Sequence, residues 1–183
     1  MKKHVVIARF NQETDELFEG WKKKIYDLQE THYEDATAWP PHMTIAAFED
    51  MNVDDLCSWT LEYVKKFNDI DVLFQSLGVF THGAKLNTDV IYAIPANSKN
   101  LTDFYYGYHA KYDEYCGDYG RYYTAACRHP IFHTTLSICK ADEFNKVFDE
   151  LRTNFVGIFA RIVALEVYEN PIKLITRYEL LHD

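Results

Sequence analysis

Residues 39–48 read WPPHMTIAAF, a histidine and a threonine two positions apart at the start of a strand-like run, just behind two prolines. Residues 129–138 read HPIFHTTLSI and repeat the pattern 91 positions later. In a strand, residues two apart share a face. His42, Thr44, Ala46 and Phe48 are therefore expected on one side, opposed by Met43, Ile45 and Ala47. In the second stretch His133, Thr135, Ser137 and Cys139 oppose Phe132, Thr134, Leu136 and Ile138. Proline upstream of each histidine (Pro40 and Pro41, then Pro130) biases the incoming chain to an extended path.

Working outward, the two stretches open parallel series of elements. After the first come a helix marked by Val53, Leu56, Cys57, Thr60, Val64 and Phe67 with Asn52 as N-cap, a strand at 71–80 and another at 89–96. After the second come a helix marked by Phe144, Val147, Phe148, Leu151 and Phe155 with Asp142 as cap, then strands at 158–169 and 173–181. Repeat units of about 42–96 and 133–181 imply a duplicated chain, two αβ lobes facing one another across a cleft, within one domain spanning 1–183. A first strand at 4–10 and a helix at 14–30 carrying Leu17, Phe18, Trp21, Ile25 and Leu28 precede the repeats. Between them, tyrosines at 105, 108, 112, 115 and 119 step by three and four and predict a helix from 97 to about 119.

Composition bounds the function. A net charge of -9 opposes binding to duplex DNA, which needs a basic surface. Four cysteines at irregular spacing, with no C-x-x-C pair, suggest reduced thiols and neither a zinc knuckle nor a redox dithiol. The start MKKHVVIARF is too short an apolar run for a signal peptide or a membrane span, so a cytoplasmic protein with no membrane partner is expected, and a monomer.

The paired residues suggest chemistry. Side chains at i and i+2 are about 6.5–7 Å apart at the backbone, close enough to reach one phosphate. Imidazole exchanges protons near neutral pH, and a threonine hydroxyl can donate to a phosphoryl oxygen. Two histidines could supply the base and the acid that phosphodiester cleavage requires, with no metal or other cofactor. Arg128 and Arg177 are the candidate cations for the phosphate. Phe48, Tyr123, Phe132 and Tyr178 are the candidate rings for a base, with Tyr123 and Tyr178 ranked first and Phe132 on the apolar face.

Two H-x-T motifs opening strands in a duplicated chain of this length resemble the 2H phosphoesterase superfamily, which includes bacterial 2'-5' RNA ligase-like proteins and cyclic phosphodiesterases. The resemblance spans nearly the whole chain. It implies an α+β fold of two pseudo-symmetric lobes, antiparallel sheets lining a central cleft and helices outside. It places His42, Thr44, His133 and Thr135 on the catalytic positions, and it implies a hydrolase acting on a ribose-linked phosphoester: a 2',3'-cyclic phosphate, a 2'-5' linkage or an RNA end. The second motif departs from the family's P-H-x-T in having its proline three residues ahead of the histidine. The alternative is a nucleotide- or RNA-binding module that uses the same cleft without turnover.

Overall fold

The runs read as strands all pair, and every strand-to-strand ladder among the described residues is antiparallel. The computed structural model describes residues 2–33, 38–81, 87–124, 126 and 132–182. Its strands are β1 (Lys3–Phe10), β2 (Met43–Glu49), β3 (Ile70–Thr81), β4 (Thr88–Pro95), β5 (Thr134–Lys140), β6 (Ile158–Glu169) and β7 (Lys173–Glu179). Its helices are α1 (Gln12–Leu28), α2 (Val53–Val64), α3 (Lys99–Tyr108), the single turn α4 (Gly117–Gly120) and α5 (Phe144–Asn154). The sheet runs β2-β1-β6-β3-β4-β5, with β7 also on β6.

The long strand β6 divides the sheet into two halves. Its residue Ile162 pairs with Phe10 of β1 on one edge and with Ile70 of β3 on the other. Beyond that point β7 takes over the edge that β3 leaves, pairing with Ala164–Glu169. One half is therefore β2-β1-β6-β7 and the other β6-β3-β4-β5, with β2 and β5 at the ends of the path and in contact with each other. The repeats seen in the sequence are present as β2-α2-β3-β4 and β5-α5-β6-β7, but they interlock. β2 joins the half built on β6 and β7, while β5 pairs with β4 of the first repeat.

The main core lies between the sheet and the long helices. Phe10 of β1, Phe18 of α1 and Phe74 of β3 meet edge-to-face at 5.3–5.8 Å. All three are nearly or wholly buried, each worth roughly 1.5–3 kcal/mol of apolar transfer. Trp59 and Tyr63 of α2 pack with Phe104 and Tyr108 of α3. A smaller cluster of Val5, Ile7, Ala47 and Tyr168 forms on the other face, with Trp39, Tyr119 and Tyr123 against it. β1 is apolar and buried from Val5 to Ala8 because both of its faces are covered there.

Local expectations were met unevenly. Asn52 caps α2 as expected, accepting from the N–H groups of Asp54 and Asp55 at 2.8 and 3.2 Å. Asp142 does not cap α5. The N-cap is Glu143, whose carboxylate instead accepts from the N–H groups of Glu30 and Thr31 and ties the end of α1 to α5. The tyrosine helix stops at Tyr108, because His109 turns its ring into a buried hydrogen-bond network and Tyr112 adopts a left-handed conformation at φ 69°. The chain then wraps over β2 through a 3₁₀ turn at Asp113–Tyr115, α4, and a second at Arg121–Tyr123. Gly120 is required in this wrap, since a Cβ there would lie 1.7 Å from the carbonyl oxygen of Ala47. No helix among the described residues is long and apolar enough to cross a membrane.

Candidate active site

The two histidine strands carry the same irregularity at the same place. β1 residues Val6 and Ile7 pair with Ala46 and Thr44, so Ile45 is an extra residue in β2. β4 residues Ile91 and Tyr92 pair with Ser137 and Thr135, leaving Leu136 extra in β5. Each bulge falls on the residue after the H-x-T threonine and inverts the alternation beyond it. Strict alternation puts Ala46 and Phe48 on the histidine's side. Both instead enter the main core, as does Cys139 of β5, while Ala47 joins the smaller cluster on the opposite face and Ile138 lines the cleft. The bulges let a short polar segment face the cleft while the rest of each strand keeps its apolar packing.

The approach to His42 is held by its carbonyls. Pro40 and Pro41 have no N–H to offer a ladder, so the segment must be fixed by what it accepts. Lys22 Nζ donates to the Trp39 carbonyl at 2.5 Å, His42 Nδ1 to that of Pro40 at 2.7 Å, and Arg9 Nε to that of Pro41 at 3.1 Å. Three successive carbonyls thus take three side-chain donors. Arg9 is itself anchored by Asp15 and by the buried Glu166, which also accepts from Arg177 and Tyr168 at 2.9 Å each.

A carbonyl only accepts, so Nδ1 of His42 carries a proton, and in the neutral ring Nε2 keeps its lone pair. His42 is half-buried, its ring 5.3 Å from that of Trp39. Burial pushes its pKa down to about 4; the Pro40 carbonyl acts in the opposite sense, and the charges of Lys22, His133 and Arg9 lower it further. His133 stands against Phe80 and Tyr92 at 5.2 and 5.1 Å. Those two rings stack at 4.2 Å. The close fit uses Gly78, where a Cβ would come within 2.5 Å of the Tyr92 ring.

His42, Thr44, His133 and Thr135 line one cavity of about 190 Å³, together with Lys22, Trp39, Pro40, Tyr123 and Ile138. Tyr123 hydrogen-bonds Thr44 through its hydroxyl, and its own carbonyl accepts from Tyr105 at 2.7 Å.

No protein-family model matches the sequence, and no curated protein is similar to it. Solved structures do match. TT0787 of Thermus thermophilus aligns with a TM-score of 0.59 at 10% identity, over 98% of both chains. E. coli LigT, complexed with 3'-AMP, aligns with a TM-score of 0.55 at 11% identity, again over 98% of each. This chain folds like LigT. The arrangement expected from the resemblance, antiparallel sheet halves around a cleft with helices outside, is the LigT-like fold observed.

Within this LigT-like fold the remaining candidates separate. Arg177 projects from β7 to Glu166 and Glu179 and does not line the cavity; it braces the network behind Arg9. Tyr178, next along β7, points to the opposite face, packs against the main core and hydrogen-bonds Cys57 of α2. Phe48 is fully buried in that core, and Phe132 packs on Tyr105 at 4.8 Å. Arg128 lies outside the described residues. Lys22 and Trp39 were missed. Lys22 had a signal: the buried stripe of α1 is Thr14, Phe18, Lys22 and Ile25, so a lysine occupies an apolar-face position, whereas Leu17, expected in the core, is 38% exposed. Burial also lowers the pKa of this ammonium group.

Proposed function

We propose that the chain is a 2H-type phosphodiesterase that cleaves a ribose-linked phosphodiester by paired histidine catalysis. The observation that carries this reading is the convergence of two histidines and two threonines from separate strands on one small cavity beside a buried lysine. The 3'-AMP complex of LigT, a ribose phosphate held by a protein of the same fold, supports the choice of ligand.

In this reading His42 is the base. Its free Nε2 takes a proton from water or a ribose hydroxyl, whose oxygen attacks phosphorus. As the P–O bond to the leaving oxygen breaks, His133 gives that oxygen a proton. Thr44 and Thr135 donate to the non-bridging oxygens, and the Lys22 ammonium offsets their charge. Trp39 offers a half-buried ring beside His42 on which a base can stack. A bound phosphate anion would also raise the His42 pKa from its low resting value, strengthening the base where the reaction needs it.

The direct test is incubation with 2',3'-cyclic nucleotides, 2'-5' oligoadenylates and ADP-ribose cyclic phosphate. At least one should be cleaved, to a phosphomonoester where water attacks or to a cyclic phosphate where a ribose hydroxyl does. Tight binding with every compound recovered unchanged would leave a nucleotide-binding cleft and remove the catalytic reading.

Lys22→Met tests the cation separately. Losing one charge-assisted hydrogen bond, worth about 1.5–3 kcal/mol, should lower kcat/KM by about 10–100-fold. The acid limb of the kcat/KM profile should also move upward, because the positive charge that holds down the His42 pKa is gone. An unmoved limb would separate Lys22 from His42.

A further inference from the structure

Outside the cleft, the segment after α3 brings three different ligand types together. The His109 side chain is fully buried, with Nδ1 2.6 Å from Asp113 Oδ1 and Nε2 2.8 Å from the Ile45 carbonyl. Cys116, also buried, completes the group: the histidine nitrogen, the carboxylate oxygen and Sγ all lie within 4.8 Å of one another. Among the described residues no other such group occurs, and none of the three lines the cavity of His42 and His133.

We propose that His109 Nδ1, Asp113 and Cys116 form a binding site for one divalent cation of the zinc class. Mixed nitrogen, oxygen and thiolate donors suit a borderline ion rather than magnesium or calcium. The outer shell is already assembled. The Ile45 carbonyl takes the Nε2–H, fixing the ring so that Nδ1 faces the other ligands, as histidines bound to metals commonly are. Both partners of the ring are acceptors, so without an ion a proton must bridge Nδ1 and the carboxylate; the cation takes that place. The bridging proton and the Cys116 thiol proton pass to solvent as the ion binds. An adjacent cavity of about 280 Å³, lined by His109, Asp113 and Glu114 among others, gives a route in and room for a fourth ligand from water or Glu114. Ile45 is the bulge residue next to Thr44, so the ion would tie the segment wrapped over β2 to the strand that presents His42.

The full chain, reduced and stripped with a chelator, is titrated with Co²⁺ alone. Saturation at one ion per chain is expected, with a near-ultraviolet thiolate-to-cobalt charge-transfer band that Cys116→Ser removes. Asp113→Asn, at a partly exposed side chain and nearly isosteric, should retain the wild-type circular dichroism and bind Co²⁺ at least about tenfold more weakly. No charge-transfer band in the wild-type chain, a band that survives in Cys116→Ser, or unchanged affinity in Asp113→Asn would each overturn the site. None of these readouts depends on phosphodiesterase turnover.

Discussion

His42→Gln and His133→Gln are each expected to lower kcat by about 10²–10⁴-fold on whichever phosphodiester the chain turns over, with cooperative unfolding retained. The two changes should not add. Base and acid act in one transition state, so the double variant should fall little below the worse single one. The roles are separable by leaving group. A substrate whose leaving oxygen needs no protonation, such as a p-nitrophenyl ester, should restore much of the rate to His133→Gln and little to His42→Gln. The reverse pattern would exchange the roles. The acid limb of kcat/KM in the wild type should lie near pH 4, where burial and the surrounding positive charges place His42, and should vanish in His42→Gln. Wild-type turnover in the double variant would end the two-histidine reading.

Much of this was legible because it depends on local pattern. The order of strands and helices follows from periodicity, and the placement of His42 and His133 at strand starts follows from proline and the H-x-T spacing. What was not legible depends on contacts between segments distant in the chain. A bulge at Ile45 cannot be read from MTIAAF, since alternation looks regular until the partner strand shows one residue unpaired. For the same reason Phe48 looks available to a ligand in the sequence and is buried. Arg177 and Tyr178 are both candidates for the cleft by sequence, although neighbours in a strand face opposite ways. The tyrosine stripe continues at helical spacing past Tyr108, but a buried bond from His109 to Ile45 outweighs a weak propensity and ends the helix. The interlocking of the repeats is also non-local. Duplicated segments look like two separate lobes in sequence, and only the pairing of β5 with β4 shows that each half of the sheet borrows from both.

Arg9→Met should be the most destabilising single change near the site. The Arg9 guanidinium is 13% exposed and serves three acceptors from three parts of the chain: Asp15 in α1, Glu166 in β6 and the carbonyl of Pro41 before His42. Methionine keeps most of the aliphatic packing and removes every donor. Glu166, 4% exposed, then keeps Arg177 and Tyr168, but Asp15 loses its ion-pair partner. Breaking a largely buried pair from one side costs about 3–5 kcal/mol, which urea unfolding would read as a fall in midpoint. Arg177→Met is the control. Its side chain is 35% exposed and leaves the Arg9–Glu166 pair in place, so its loss should stay near 1 kcal/mol or below. The pH dependence gives the sign of the effect. Burial already holds the Asp15 carboxyl above its ordinary value, with Arg9 pulling it down. Removing Arg9 lifts it further, so the folded variant binds protons that the unfolded chain does not, and its stability falls as pH rises through that range. The deficit relative to wild type should therefore be larger at pH 7 than at pH 5; equal deficits would mean that lost packing, not the stranded carboxylate, is the cause. Activity should fall with stability, because the Pro41 carbonyl loses the donor that fixes the chain one residue before the base.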